Sequence, residues 1–267
     1  MMKDVVLSLI QMRSAAGDIQ GNFERMRSLA DAVKTDSDII CFPEACLTGY
    51  DADDPGSSCI SLDDEWISKV SDLSKKFGLN IVFGFMEKNG RDMHITQALS
   101  DRKGNIGIYR KTHLGRKERK KFVPGNEIPV FELPEATIGI QLCWESHFPD
   151  LSSKLRKKGA DIILISYASP VKPPSRRESW MKHLPARAYD NGVFVGAVNA
   201  FGDNGKGVAF GGGIMVFDPK GDLIAEQFFD DDSIVKVKLS SSTKNDLGSG
   251  DDPRSIDYFA YRRDDIY

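Results

Sequence analysis

The segment 136–150 reads Ala-Thr-Ile-Gly-Ile-Gln-Leu-Cys-Trp-Glu-Ser-His-Phe-Pro-Asp. Its first part, Ala136–Leu142, is a short apolar run typical of a buried strand, and Pro149 suits the first turn of a helix. Cys143 therefore lies at a bend between a strand and a helix. Such a bend holds a side chain exposed on a rigid scaffold, and nearby helix N–H groups are expected to lower the pKa of the thiol.

Two further segments place reactive side chains at predicted strand ends. Glu44 follows the apolar run Asp-Ile-Ile-Cys-Phe (38–42), and Lys111 follows Ile-Gly-Ile-Tyr-Arg (106–110). Side chains at strand ends can converge at one edge of a sheet. A thiol nucleophile, a carboxylate base and a cation for an oxyanion are the parts of an acyl-transfer site. The sequence therefore predicts a cysteine hydrolase.

Other interpretations of the cysteines and histidines are weaker. A buried cysteine is often structural, and we keep that interpretation for Cys41, Cys46 and Cys59. A papain-like Cys–His protease needs a distant histidine and its own local signature. His147 instead lies four residues from Cys143 on the same segment, and that signature is absent.

The motifs, in this order, resemble the nitrilase (carbon–nitrogen hydrolase) superfamily, whose members carry a Glu-Lys-Cys triad. The resemblance covers nearly the whole chain. It rests on Gly-Asp-Ile-Gln-Gly-Asn (17–22), Phe-Pro-Glu-Ala (42–45), Tyr-Arg-Lys-Thr-His-Leu (109–114), Lys-Glu-Arg-Lys-Lys-Phe-Val-Pro-Gly (117–125), Cys-Trp-Glu-Ser-His-Phe-Pro-Asp (143–150), Ala-Arg-Ala-Tyr-Asp-Asn-Gly (186–192), Val-Asn (198–199) and Tyr-Arg-Arg-Asp-Asp-Ile-Tyr (261–267).

The resemblance implies a role for each member of the site. Cys143 would be the nucleophile, and Glu44 would be the base, its pKa raised by apolar neighbours. Lys111 and the backbone N–H of Trp144, which directly follows the nucleophile, would stabilise the oxyanion. Glu118 would position the substrate or Lys111, although its charged surroundings also fit a solvated loop.

Two further residues fit motif positions without a chemical role. We interpret Glu145 and Arg187 as structural supports of the nucleophile loop and of a long helix.

Bulk properties exclude several classes of partner. The 267 residues carry a formal charge of −3, which provides no electrostatic reason for binding nucleic acid or an anionic membrane. Apolar runs such as Ile162–Ile165 are too short to cross a bilayer, and the N-terminus lacks a signal-peptide cleavage site. Cys41 and Cys46 have no second pair at metal-ligand spacing. We expect a cytoplasmic protein with reduced thiols, no metal and no cofactor.

Alternating strand and helix patterns predict a mixed α/β fold. The resemblance sharpens this to a four-layer α-β-β-α sandwich in a single domain, residues 1–267. Helices are predicted at Asn22–Val33, Glu65–Phe77, Leu151–Gly159 and Ser175–Asn191. Strands are predicted at Val5–Ile10, Asp38–Phe42, Asn80–Met86, Ile106–Tyr109, Ala136–Leu142, Asp161–Ser166, Val193–Val198, Gly213–Phe217, Leu223–Phe228 and Ser233–Val237.

The resemblance implies cleavage of a non-peptide C–N bond in a small-molecule amide or N-carbamoyl amine through a cysteine acyl-enzyme, releasing ammonia or an amine. Nitrile hydrolysis by the same triad, or a non-catalytic interaction protein on the same fold, are the alternatives. The sequence leaves the substrate charge open. An acidic cluster suits a cation such as N-carbamoylputrescine, whereas a basic cluster suits a carboxylate-bearing amide. The acidic cluster consists of Asp51, Asp53 and Asp54, and the basic cluster consists of Arg116, Lys117, Lys172, Arg176 and Arg177.

The resemblance also implies a homodimer or larger homo-oligomer. The C-terminal tail, about residues 250–267, contains the aromatic segment Tyr258-Phe259-Ala260-Tyr261. Large aromatic side chains near a polar terminus are hard to bury in a monomer, so we expect the tail to contribute to subunit contacts.

Overall fold

The computed structural model describes residues 2–248 and 255–266, so the predicted tail (about 250–267) lies partly outside the described residues. The helices are α1 (Ile19–Asp31), α2 (Glu65–Phe77), α3 (Pro149–Lys157), α4 (Ser175–Met181), α5 (Leu184–Tyr189) and α6 (Ser241–Asn245). The strands are β1 (Val5–Gln11), β2 (Ile39–Cys41), β3 (Asn80–Asn89), β4 (Asp92–Ser100), β5 (Ile106–Arg110), β6 (Val130–Glu132), β7 (Thr137–Leu142), β8 (Ile162–Tyr167), β9 (Phe194–Asn199), β10 (Phe201–Asp203), β11 (Ala209–Gly211), β12 (Ile214–Phe217), β13 (Leu223–Gln227) and β14 (Ser233–Leu239).

The strands form two large sheets with the same plan. The first has the order β14-β1-β2-β3-β4-β5 and the second β13-β12-β9-β8-β7-β6. In each sheet the central strands are parallel, β1-β2-β3 in the first and β7-β8-β9 in the second. Antiparallel strands complete the edges. β10 and β11 form a small separate ladder.

The sheets face each other and bury a shared core, which includes Leu7 and Leu9 of β1 and Ile140 and Leu164 of the second sheet. Helices α1 and α2 cover the outer face of the first sheet, and α3, α4 and α5 cover that of the second. Both faces of the central strands are therefore covered, which explains their nearly continuous Val, Ile and Leu composition. The predicted four-layer α-β-β-α sandwich is confirmed.

All ten predicted strands are present, with ends shifted by a few residues. The longest strand that the pattern failed to predict is β4, because polar His94, Thr96 and Gln97 interrupt its apolar residues. These side chains are buried and hydrogen-bonded, for example Thr96 to Glu87 at 2.6 Å. Short strands β6, β10 and β11 were also not predicted.

The prediction of one helix over Ser175–Asn191 is wrong, because the chain forms α4 and α5 instead. Pro185 lies in the first turn of α5, where its missing N–H costs nothing. In the interior of a continuous helix the same proline would remove a hydrogen bond and clash with the preceding turn. The break falls at His183, whose φ of −139° is not helical.

Strand direction places the reactive segments together. β5 is antiparallel to β4, which is antiparallel to β3, so β5 runs in the same direction as β2 and β3. Residues that follow β2 and β5 consequently lie at one edge of the first sheet. In residues 2–248 and 255–266, no helix is long and apolar enough to cross a membrane.

Candidate functional site

A buried cluster of charged side chains lies at the edge of the first sheet where β2 and β5 end. The Lys111 ammonium donates to Glu44 Oε1 and to Glu118 Oε1, both at 2.7 Å. Lys111 and Glu44 are almost completely buried, at 1% and 2% exposure, and Glu118 at 6%. The structure therefore brings together three of the residues that the sequence predicted for the site.

Glu44 is held by both sheets. Its Oε2 accepts a hydrogen bond from the Ala168 N–H, just after β8, at 3.0 Å. The following residue, Ala45, has φ of 53°, an uncommon value for a residue with a side chain. Gly84 of β3 allows this loop to approach, because a Cβ at that position would lie 2.4 Å from the Ala45 nitrogen. Glu44 is thus fixed in a tight turn that tolerates little displacement.

Glu118 belongs to a 3₁₀ turn, Glu118–Lys120. Its Oε1 also accepts from the Tyr50 hydroxyl at 2.8 Å, and its Oε2 accepts from the Gly115 N–H at 2.5 Å. The solvated-loop interpretation is wrong for Glu118, although it holds for Lys117, which is exposed. Tyr50 was not predicted. Its position in the sequence Leu-Thr-Gly-Tyr, directly after the loop that carries Glu44, could have indicated that Tyr50 belongs to the site.

The cluster contains one ammonium and two carboxylates, and their charges shift the pKa values of Glu44 and Lys111. Burial raises the pKa of Glu44 above its usual range, against the opposing effect of Lys111, and the charge of Glu118 raises it further. Burial alone would lower the pKa of Lys111, but Glu44 and Glu118 outweigh burial and raise it. Lys111 therefore stays charged at neutral pH, while Glu44 becomes easier to protonate than an ordinary glutamate.

Cys143 begins a 3₁₀ turn, Cys143–His147, and has φ of 41°. A side-chain-bearing residue in this conformation stores roughly 1–3 kcal/mol of strain. Burial and the negative charge of Glu44 raise the pKa of the thiol to about 12, and Lys111 only partly opposes them. The predicted lowering of this pKa is wrong, because burial dominates and α3 begins only at Pro149. The resting thiol is neutral and requires a base.

Glu145 supports the loop that carries Cys143. Its Oε1 accepts from the Tyr109 hydroxyl at 2.6 Å, the Thr112 N–H at 2.8 Å and the His113 N–H at 3.1 Å, and its Oε2 accepts from the Leu142 N–H at 2.8 Å. Burial would raise its pKa, but the hydrogen bonds outweigh burial and hold the pKa below its usual value. Glu145 thereby joins the segment after β5 to the end of β7, as the predicted supporting role requires.

Arg187 contacts the same loop from α5, and Trp144 is part of that loop. Arg187 Nε donates to the Ser146 carbonyl at 3.0 Å, which supports the nucleophile loop as predicted. The Trp144 ring is exposed and lies 6.2 Å from the His147 ring, centroid to centroid. The participation of the Trp144 backbone N–H in an oxyanion site stays a prediction.

The other cysteines differ from Cys143 in their surroundings. Cys41 and Cys46 are fully buried, and burial raises the pKa of each to about 12. Their described side-chain partners are the Ser166 hydroxyl for Cys41 and the Met26 sulfur for Cys46, which fits their structural interpretation. Cys59 is partly buried, and burial raises its pKa to about 11. In the described part of the chain, no group of three or more His, Cys, Asp or Glu side chains is placed to hold a metal ion.

Known proteins resemble the chain in both sequence and fold. A 2-oxoglutaramate amidase from Bacillus subtilis is 30% identical over 231 residues, covering 82% of this chain and 85% of the relative. A probable nitrilase from Schizosaccharomyces pombe is 28% identical over 82% of each chain. Among solved structures, the NitN amidase from Nesterenkonia sp. AN1 has the same fold, with a TM-score of 0.84 over 98% of each chain at 23% identity.

The family assignment rests on a match that spans most of the sequence. The profile described as carbon–nitrogen hydrolase matches residues 6–244. That range includes both sheets except Val5, the first residue of β1, and the whole charge cluster. The chain therefore belongs to the carbon–nitrogen hydrolase family, within the nitrilase superfamily.

Proposed function

We propose that the protein is a thiol amidohydrolase that cleaves a non-peptide C–N bond in a small-molecule amide or N-carbamoyl amine. The observation that carries this proposal is the buried Glu44–Lys111–Glu118 cluster, which acts electrostatically on the Cys143 thiol. Burying three charges is costly, and an interaction protein would gain nothing from it. A cysteine acyl-enzyme mechanism uses a base and a cation beside the thiol, and Glu118 fixes the position of that cation.

In the first step, Glu44 takes the proton of the Cys143 thiol while the sulfur attacks the carbonyl carbon. The raised pKa of the thiol makes a base necessary, and the raised pKa of Glu44 brings it into the range useful for proton transfer near neutral pH. Lys111 stays charged and stabilises the oxyanion, together with the backbone N–H of Trp144. Glu118 holds Lys111 in place.

In the second step, Glu44 gives its proton to the leaving nitrogen, the C–N bond breaks, and ammonia or an amine departs. The acyl group remains as a thioester on Cys143. Glu44 then takes a proton from water, and the resulting hydroxide attacks the thioester carbon. The thiolate leaves and recovers the proton from Glu44, and the product is a carboxylic acid from an amide or a carbamic acid from an N-carbamoyl amine.

The relatives support an amide as the substrate class. Among the relatives is a 2-oxoglutaramate amidase. Variants of the Nesterenkonia amidase are described in complex with butyramide and with the acetamide moiety of fluoroacetamide added covalently at the active-site cysteine. The four cysteines of this chain are free thiols, which suits the reducing cytoplasm in which we propose that the enzyme acts.

The acidic cluster offers little to a cationic substrate such as N-carbamoylputrescine. Asp51 accepts hydrogen bonds from the N–H groups of Asp53 and Asp54, both at 3.0 Å, so its carboxylate is used in a turn. Asp53 forms an exposed ion pair with Lys117 at 3.6 Å. We therefore do not propose N-carbamoylputrescine as the substrate.

The proposal is tested by measuring ammonia release from amides, N-carbamoyl amines and nitriles. We expect turnover of amides by the wild-type protein, none by Cys143→Ala, and nearly unchanged turnover by Cys59→Ala, which removes a partly buried thiol away from the cluster. Circular dichroism should show that both variants are folded. Preferential turnover of nitriles would support the nitrilase alternative, and activity that survives Cys143→Ala would contradict the proposal.

A further inference from the structure

Arg176 is a buried cation with no acidic partner among the described residues. It lies in α4, is 5% exposed, and stacks over the Tyr167 and Trp180 rings at 5.5 and 5.2 Å from their centroids. Its hydrogen bond goes to the Ser169 hydroxyl. The two ionisable groups whose charges act on the pKa of Arg176 are the Cys143 thiol and the Tyr167 hydroxyl, and neither is a carboxylate. A buried guanidinium normally has a carboxylate or phosphate partner.

Unused hydrogen-bond donors accompany this charge. Arg176 Nε and Trp180 Nε1 are both buried, and neither has a hydrogen-bond partner within residues 2–248 and 255–266. Buried polar atoms in folded proteins are nearly always paired. Both unpaired atoms are donors, and they belong to side chains in contact with each other. The arrangement therefore suits an acceptor with negative charge.

The position of Arg176 connects it to the proposed chemistry. Its charge lowers the pKa of Cys143, and it thereby opposes the effect of Glu44 on the same thiol. Its hydrogen-bond partner Ser169 directly follows Ala168, whose N–H donates to Glu44. Arg176 is therefore attached to the stretch of chain after β8 that also holds Glu44, and an anion bound by Arg176 would lie on that side of the site.

The other basic residues considered from the sequence for binding a substrate carboxylate are not buried. Arg177 is exposed and pairs with Glu226 at 2.7 Å. Arg116 and Lys172 are exposed side chains. Of the five basic residues considered for substrate recognition, all of which the structure describes, Arg176 alone is buried.

From this geometry we infer that Arg176 binds a carboxylate of the substrate. The substrate class is an amide or carbamoyl compound with a carboxylate in the same molecule, such as the monoamide of a dicarboxylic acid. This inference rests on the proposed amidase function and adds the charge of the substrate. A guanidinium is well suited to the task because its planar donors match a carboxylate in two-point geometry.

The test compares substrates that differ in charge. Ammonia release is measured for succinamate and glutaramate, for the neutral butyramide and pentanamide, and for the cationic N-carbamoylputrescine. We expect the wild-type kcat/KM for the anionic amides to exceed that for the neutral amides by about 10²-fold or more. In Arg176→Gln this ratio should fall by a similar factor, largely through KM, and Arg176→Lys should retain part of it. Arg177→Gln, the neighbouring exposed arginine, is the control and should keep the wild-type ratio.

The outcomes separate this inference from the function on which it rests. Equal turnover of neutral and anionic amides by the wild-type protein would refute the role of Arg176 and leave the amidase proposal intact. Absence of ammonia from every amide would refute both. A folded Arg176→Gln protein that loses all substrates in the same proportion would show that Arg176 serves the thiol and not the substrate. If the variants do not fold, the wild-type charge preference and competitive inhibition by glutarate decide the question.

Discussion

At the level of single residues, Lys111 offsets part of the negative charge of the site by contacting both Glu44 and Glu118 at 2.7 Å. Sequence order was sufficient to select these residues and Cys143, because each follows an apolar run or falls in a recognisable motif. The protonation states were harder to predict. They depend on how completely the folded chain removes water, and for this reason the pKa of Cys143 is raised and not lowered.

The two glutamates should respond differently to loss of charge. Glu44→Gln removes the base for Cys143 and for water, so acyl-enzyme formation should slow by about 10²–10⁴-fold or more. Glu118→Gln removes a charge that positions Lys111 and takes no part in proton transfer, so it should still acylate, with a smaller loss of rate. Rapid-quench measurement of adduct formation distinguishes the two variants.

Tyr50→Phe is a control for the comparison of Glu44→Gln with Glu118→Gln. A glutamine amide nitrogen in place of Glu118 Oε2 would face the Gly115 N–H, so some loss of stability should accompany the substitution. Tyr50→Phe removes one hydrogen bond to Glu118 and preserves its charge, and it should acylate at nearly the wild-type rate. Normal acylation by Glu44→Gln together with none by Glu118→Gln would reverse the assigned roles.

The pH dependence follows from the directions of the pKa shifts. Glu44 acts as a base only when it is ionised, so kcat/KM should rise with pH through the pKa of Glu44. Because burial raises that pKa, the rise should lie above the ordinary glutamate value of about 4.3. No second rise is expected near 8.5, the ordinary cysteine value, because the pKa of Cys143 is raised as well. Profiles between pH 4 and 9 test both statements, and a rise centred near 8.5 would indicate an independently ionising thiol.

At the level of elements, the ends of β2, β5, β7 and β8 form the frame of the site. The strands themselves were predictable from apolar runs between turn residues. The contacts made by their loops were not, because they depend on the sheet pairing of distant segments. The same limit explains the break between α4 and α5, where tertiary packing and Pro185 interrupt a continuous helical pattern.

Asn199, at the end of β9, should be critical for the loop after β8. Its side chain accepts from the Ser169 N–H at 2.9 Å and donates to the carbonyls of Ser169 and Gly212 at 3.0 Å each. Asn199→Ala would leave these buried groups unpaired and release the loop that holds Glu44 through Ala168. We expect a decrease of about 2–4 kcal/mol in the free energy of unfolding and a clear loss of kcat.

Urea unfolding and turnover of the same samples provide the measurement. Asn191→Ala is a matched control, because the described Asn191 side-chain hydrogen bond goes to the Arg187 carbonyl within the same helical region, at 2.9 Å. It should have a smaller effect on turnover. Normal stability and turnover in Asn199→Ala would show that the loop is held by other contacts.

At the level of the whole molecule, the two sheets share one core, and the described part of the tail lies against the second sheet's helices. Arg156 of α3 pairs with Asp257 at 3.0 Å, and Tyr258 lies against Tyr189 of α5, with ring centroids 5.3 Å apart. Tyr261 is 81% exposed. The sandwich was predictable from the family resemblance, whereas no sequence pattern revealed how the tail docks on the helix layer.

We expect the protein to be a homodimer or a larger assembly in which the tail contributes to the subunit contact. Light scattering should return at least about twice the chain mass of 29.6 kDa. Tyr261→Ser should weaken the assembly, because it removes a large exposed aromatic side chain. Leu62→Ser, which changes an exposed side chain just before α2, should not. A monomer at all concentrations would refute this prediction.

Peptide-mapping mass spectrometry during turnover of a slowly hydrolysed amide shows whether catalysis proceeds through a covalent bond to Cys143. The mechanism predicts an adduct with the mass of the acyl group on the peptide that contains Cys143, and its loss as substrate is exhausted. The same adduct should be absent from Cys143→Ala. An adduct on Cys41, Cys46 or Cys59, or steady turnover without any adduct on Cys143 under rapid quenching, would contradict it.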